Sequence, residues 1–250
     1  MFDRKYGITG ERKLRWILGI KVTRDYRTRT ISLSQESYIN SLVKRFGLQR
    51  ATTVTTPLAL GALLTKDQCP RTPEELREVA NNNYRELLGS LQYAALTTRP
   101  DTSFAISKLS QFLTNPGRAH IEVAHRVIRY LSGTRNRTLN FGGANPDLAS
   151  FTDSAWGGEC NNRKSIGAYV FCLGDAAVSW KTKKQNSVAL SSVEAEYMVM
   201  CQAAKVAVWL TGLLEDLGIN LEAPPVVYSD NPGRARARLK PGLPPALQTH

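Results

Sequence analysis

The chain has 250 residues, 33 Lys and Arg against 21 Asp and Glu, a net charge of +12 and 42% hydrophobic residues. That composition supports a buried core rather than a disordered polycation, and the length allows one large domain or two small ones. Four cysteines with no CxxC pair and only three histidines argue against zinc ribbons, disulfide frameworks and histidine-rich metal sites, and no run of about 18 apolar residues offers a transmembrane helix.

The opening Met1-Phe2-Asp3-Arg4-Lys5-Tyr6 lacks the apolar core of a secretory signal, so the expected location is intracellular, cytoplasmic or nuclear, and not secreted. No membrane partner and no small-molecule cofactor are expected. The charge is uneven. Residues 1–50 hold 12 basic and 4 acidic side chains, whereas 51–100 and 151–200 are balanced. Such an excess attracts polyanions by neutralising phosphates. A basic protein with no such partner is the equal alternative on composition alone.

In chain order, residues 13–24 are rich in strand formers and Thr30-Ile31-Ser32-Leu33-Ser34 alternates with period two, which predicts a hairpin across Asp25–Arg29. Ser34 is placed to cap a helix carrying Tyr38, Ile39, Leu42, Val43 and Phe46, ended by Gly47. Residues 52–73 read as a connecting loop. Residues 73–142 read as helical: three helices separated by Arg99-Pro100-Asp101 and Asn115-Pro116-Gly117, a small bundle. His120 and His125 stand five apart on the third helix, which is not a same-face spacing, so they read as packing or surface residues.

Residues 147–230 change character. Leu148–Asp153, Gly167–Leu173 and Ala177–Lys181 read as strands, the last two joined by a tight turn at Gly174-Asp175. A helix from Ser192 to about Leu217 follows, then the strand Pro225–Asp230. The order β-β-β-α-β implies an antiparallel meander, a crossover helix, and a final strand pairing parallel beside the first.

Three acids in this region call for an explanation. Ser191 and Glu194 fit a capping box. Glu196 does not: Val199, Met200, Ala203, Ala207 and Leu210 follow it at helical spacing, so it is expected at the end of a buried face. Asp153 and Asp230 each close an apolar strand. Carboxylates brought together in this way repel and raise one another's pKa values, and divalent cations remove the problem; hard oxygen ligands without His or Cys suit Mg²⁺ or Mn²⁺. Two such ions activate water for phosphodiester hydrolysis. Three unrelated surface acids at loop edges are the other reading that spacing allows.

The residues also resemble a known family. Leu18-Gly19-Ile20, Ile31–Gln35 with Tyr38-Ile39, Thr56-Pro57-Leu58, Tyr84–Tyr93, Thr98–Asp101 and Arg129–Thr134 are similar, in order, to the end of the reverse transcriptase in copia-type LTR retrotransposon Pol polyproteins. Asp153–Gly158, Gly167–Phe171, Ser179–Lys181, Ala189–Tyr197 and Tyr228–Asn231 are similar to the RNase H that follows it. The fold class implied is mixed α/β. Residues 147–250 would form an RNase H-like sheet with flanking helices, 73–142 a helical thumb or connection module, and 1–72 a hairpin-plus-helix remnant of the palm.

By that resemblance Asp153, Glu196 and Asp230 are the catalytic, metal-binding members of an acidic quartet that hydrolyses the RNA strand of RNA/DNA hybrids with two Mg²⁺ or Mn²⁺ ions. The partners implied are the hybrid and the remainder of a Pol polyprotein, in virus-like particles where the element is intact. Ser191 and Ser192 at a helix N-terminus, with Arg163, Lys164, Lys181, Lys183 and Lys184, are candidate phosphate contacts; solvated surface is the equal alternative for the basic ones. Two departures matter. The polymerase signature Tyr-Xaa-Asp-Asp is absent, and no Asp or Glu follows Asp230, so the fourth acid is missing and a weakened second metal site is expected. A catalytically inactive relic that at most binds nucleic acid is the competing expectation.

Overall fold

The alternation of Ile20–Asp25 (β2) and Thr30–Ser34 (β3) becomes an antiparallel hairpin in the computed structural model, which describes residues 13–80, 82–142, 147–158, 162–221 and 223–229 and the backbone of 237–238. Asp25 closes its turn by accepting from the Arg27 and Thr28 amides at 2.8 and 3.3 Å. Trp16–Ile17 (β1) extends the sheet at one edge. At the other edge stands Leu139–Phe141 (β4), paired antiparallel with β3. The stretch 73–142 is therefore not helical to its end. Leu139 and Phe141 share one alternation, and the β3 edge offers unpaired backbone groups that a third strand satisfies. Trp16, Ile17 and Leu18, on the far edge, remain exposed.

Five helices follow or flank this sheet: Glu36–Arg45 (α1), Pro73–Ala80 (α2), Tyr84–Thr97 (α3), Ser103–Leu109 (α4) and Arg118–Gly133 (α5). Helix α1 begins one residue later than a Ser34 cap implies: Gln35 is the N-cap, and Ser34 Oγ accepts from the Glu36 amide at 3.2 Å. Helix α4 stops at Leu109, so Phe112 falls in a 3₁₀ turn and still enters the core. Ile39, Leu88, Leu91, Ile106, Leu109, Ile128 and Leu131 are almost wholly buried together. His120 is buried and stacks on Phe112, ring centroids 3.8 Å apart, while its Nδ1 accepts from the Gly117 amide at 2.9 Å.

A buried charge joins these helices. The Arg99 side chain, 2% exposed, donates to both carboxylate oxygens of Asp101 at 3.0 and 2.8 Å and to the Thr134 carbonyl and hydroxyl at 3.1 and 2.6 Å. Tyr130 donates its hydroxyl proton to Asp101 at 2.7 Å. Burial pushes the Asp101 carboxyl up, but these bonds and the Arg99 and Arg137 guanidiniums outweigh it and hold it below its usual value.

The second sheet contains Leu148–Ala155 (β5), Ile166–Leu173 (β6), Ala176–Lys184 (β7), Val226–Ser229 (β8) and Ala237–Arg238 (β9), in the order β7-β6-β5-β8-β9. Strand β5 is central, antiparallel to β6 and parallel to β8, as the β-β-β-α-β order requires. The crossover helix, Ser192–Asp216 (α6), buries Ala195, Val199, Ala203, Ala207, Leu210 and Leu214 over Leu148, Phe171 and Val227. The close approach needs Gly167, where a Cβ would lie 2.2 Å from Val199 Cγ2. Gly218, at φ +77°, ends the helix. Helix α6 is also long and apolar enough to cross a membrane by length and composition, which a count of uninterrupted apolar residues does not reveal. It is apolar on two sides: one packs on the sheet, and the other leaves Trp209 and Leu217 exposed.

The second sheet packs on α6 with one face and, along β7, on the helical module with the other. Opposite α6, Phe151, Val170 and Trp180 turn toward the helical module, where Trp180 Nε1–H donates to the Ala95 carbonyl at 2.7 Å. Lys184 Nζ donates to Gln111 Oε1 at 2.6 Å. The fold is mixed α/β, with two sheets and six α-helices among the described residues.

Candidate functional site

Asp153 lies on β5 in register with Ala168, on the same face as Phe151, and is exposed. It opens into a crevice of about 340 Å³ walled by Phe151, Ala168, Val170, Trp180 and Thr182 of the sheet and by Pro100 and Ser103 of the helical module. The cost of burying a charge therefore does not account for its position, contrary to the argument from strand ends. Among the described residues, no histidine or cysteine lines this crevice.

Glu196 sits one and a half turns into α6 and is half-buried. The buried stripe starts at Ala195 rather than at Glu196, and Met200, expected within it, is also half-buried. Each helical residue turns by about 100°, so a stripe through 195, 199 and 203 leaves 196 and 200 on its flank. Gln185 Nε2 donates to the Ala195 carbonyl at 2.8 Å and ties the head of α6 to the end of β7.

Two contacts bring the end of β5 and the start of α6 to one end of the sheet. Trp156 Nε1–H, one residue past β5, donates to the Ala189 carbonyl at 3.0 Å. Val199 packs on Gly167, the register partner of Ser154. Asp153 and Glu196 thus share an end of the sheet, but Asp153 points to the face away from α6. Asp230 lies outside the described residues; Ser229 before it pairs with Thr152, the residue before Asp153. Among the described residues, no group of three His, Cys, Asp or Glu side chains is placed to hold a metal ion.

Ser191 is the N-cap of α6, its Oγ accepting from the Glu194 amide at 3.1 Å. The return arm of the box is displaced by one residue, since Glu194 Oε2 accepts from the Leu190 amide at 2.6 Å. Ser191, Ser192 and Arg163 are exposed, and so are Lys181 and Lys183, on the side of β7 that faces α6. Lys164 and Lys184 are half-buried and engaged within the chain, with the Asn186 carbonyl and with Gln111. A cleft of about 480 Å³ between β6–β7 and α6 adds Lys205, Gln202 and Asn186 to Lys181 and Lys183. Lys205 escapes a reading by motif because it lies far along the helix; its separation from Cys201 and Tyr197 by four and eight residues is the signal that shared its face.

No family profile matches the chain. Over 215 residues, 86% of its length, it is 42% identical to the retrovirus-related Pol polyprotein from transposon TNT 1-94 of Nicotiana tabacum. Over 232 residues, 92% of its length, it is 35% identical to that from transposon RE1 of Arabidopsis thaliana. The secreted RxLR effector protein 161 of Plasmopara viticola is 41% identical over 132 residues, which are 52% of this chain and 93% of that protein. The chain spans 16% and 15% of the two polyproteins' own lengths. With similarity running through both sheets and the helices between them, the chain belongs to the Pol polyproteins of copia-type retrotransposons, of which it represents a segment.

Proposed function

We propose that residues 147–250 act as an RNase H-type unit that hydrolyses the RNA strand of an RNA/DNA hybrid during reverse transcription, alongside the remainder of a Pol polyprotein. The observation that carries this reading is the strand order β7-β6-β5-β8 with α6 crossing over, which puts Asp153 and Glu196 at one end of the sheet. Ser229, which precedes Asp230 in the sequence, is paired with Thr152, which precedes Asp153.

The donor chemistry fits Mg²⁺ or Mn²⁺: carboxylate oxygens, with neither imidazole nor thiolate lining the Asp153 crevice among the described residues. Asp153, Glu196 and Asp230 would hold the ions, which when bound supply an activated water and charge neutralisation at the phosphodiester. The chain itself contributes orientation. The Trp156 and Gln185 hydrogen bonds fix the head of α6 against the strand ends, and the exposed Ser191 and Ser192 at its N-terminus favour a phosphate.

A labelled hybrid incubated with the full chain and Mg²⁺ or Mn²⁺ tests the proposal. Cleavage of the RNA strand is expected, abolished by chelation, by Asp153→Asn and by Glu196→Gln. A second reading, a relic that binds nucleic acid without cutting it, has one observation in its favour: Pro100 and Ser103 wall the Asp153 crevice. Salt-sensitive hybrid binding without any cleavage selects it.

A further inference from the structure

We propose that the chain pairs with a second copy of itself through the outer face of α6, the two helices running antiparallel. Lys205, Val208, Trp209, Gly212, Leu213 and Asp216 follow one another at i, i+3, i+4, i+7, i+8 and i+11, the spacing of one helical face. The buried stripe through Ala203, Ala207, Leu210 and Leu214 turns the other way, to the sheet. Val208, Trp209 and Leu213 are exposed, Trp209 at 63%. A Cβ added at Gly212 would meet nothing within 4 Å, so the space above it is open. Large apolar side chains grouped on one exposed face mark a contact with another molecule.

The steps between these six positions, three, one, three, one and three residues, read the same from either end. A second α6 laid antiparallel about the midpoint between Leu210 and Thr211 therefore sets Lys205 of each copy level with Asp216 of the other, Val208 with Leu213, and Trp209 with Gly212. Each contact occurs twice, as a two-fold isologous interface requires. Trp209 is the knob and the space above Gly212 the hole. Charge identifies the occupant. Lys205 and Asp216 are exposed and in no ion pair among the described residues. Eleven residues of helix hold them about 16 Å apart, so one copy cannot pair its own two charges. An antiparallel copy joins opposite charges at both ends of the apolar patch, whereas a parallel one sets like against like. A membrane suits α6 by length and composition, but would take both charges into hydrocarbon unpaired. Glu196 lies nine residues before Lys205, about 14 Å along the axis and past the end of the second helix. The pair thus leaves the carboxylate end of the sheet open, and it stands whether or not that end hydrolyses RNA.

Sedimentation equilibrium of the full chain over roughly 1–200 µM, the range of small transient interfaces, tests the pair. Salt of about 0.15 M confines the repulsion between two basic chains to about 8 Å. The expected mass rises with concentration to that of two chains. Trp209→Ser and Leu213→Ser each weaken association roughly tenfold or more. Lys205→Glu and Asp216→Lys each weaken it roughly threefold to tenfold, and Lys205→Glu/Asp216→Lys restores it. These side chains are exposed, so in dilute solution every variant keeps a urea midpoint close to that of the wild type, which separates lost pairing from lost folding. A chain that stays monomeric throughout overturns the proposal, and so does association that Trp209→Ser leaves intact. A double charge swap weaker than either single variant overturns the antiparallel register. Co-flotation with phosphatidylcholine–phosphatidylserine vesicles that needs Trp209, by a chain monomeric in solution, gives the face to a membrane and overturns the pair.

Discussion

The helical module and the second sheet treat charge in opposite ways. The module buries a guanidinium and surrounds it: Arg99 reaches Asp101 and Thr134, and Tyr130 completes the Asp101 shell. The sheet unit leaves Asp153 exposed at one end, and Lys181, Lys183 and Lys205 line a cleft without an ion pair among the described residues. A buried charge that is fully hydrogen-bonded fixes one arrangement of the backbone. Charges left at an edge are available to something outside the chain. The difference teaches where to look for each role: the module's polar residues hold structure, and the sheet unit's face outward.

The largest effect expected from this contrast is at Arg99. Arg99→Ala leaves the Thr134 carbonyl without that partner and strips Asp101 of its bidentate donor, which should cost about 3–5 kcal/mol, the range for breaking a buried pair by removing one member. Urea denaturation measures it. A loss under about 1 kcal/mol, the range of a surface ion pair, would show that the network is not structural. Hydrogen exchange then locates the damage. Amides of α3 and α5 should open first and those of β5 and β6 last.

That network also marks what the sequence leaves unread. Thr98-Arg99-Pro100-Asp101 reads as a helix stop followed by a cap, and nothing in its spacing says that Thr134, thirty-five residues on, encloses the arginine. The helices themselves are legible because their apolar residues recur over several turns. The three-residue β4 is not, since only its pairing with β3 gives it meaning. Asp153 shows a subtler limit. Alternation places it with Phe151, and an apolar Phe151 implies the buried face; yet α6 covers the Ser150 and Thr152 side, while Phe151 turns toward the helical module. An apolar residue in an alternating strand does not by itself mark the covered face, and Phe151 is 51% exposed. At Glu196 the stripe is right but its phase is one residue off, within the drift of helical periodicity.

The second effect concerns packing in the sheet unit. Gly167→Ala sets a Cβ 2.2 Å from Val199 Cγ2, and a valine in a helix has one preferred rotamer, so the helix must shift. The expected loss is about 1–3 kcal/mol, with a lowered urea midpoint. Gly212→Ala on the same helix is the counterpart. Nothing lies within 4 Å of its Cβ, so helix propensity alone acts and stability rises by up to about 1 kcal/mol. Equal effects at the two glycines would mean that α6 is not seated on β6 as described.

The smallest shift is expected from protons, and it separates the two regions again. Burial pushes the His120 imidazole below its ordinary value of 6.5, with the Thr65 backbone pulling back, and burial lowers His125 against a smaller pull from Glu122. The folded module therefore binds fewer protons than the unfolded chain once the pH falls below 6.5. Its stability is full above that value and drains as the pH drops through the folded pKa values. Asp101, held below 3.8 in the folded state, adds a second loss only in stronger acid. The described residues of the sheet unit contain no histidine. Between pH 7.5 and 5.5, exchange corrected for intrinsic rates should therefore quicken in α5 and stay level in β6. A matching change in both would show that the module and the sheet open as one unit, joined through Trp180 and the Ala95 carbonyl.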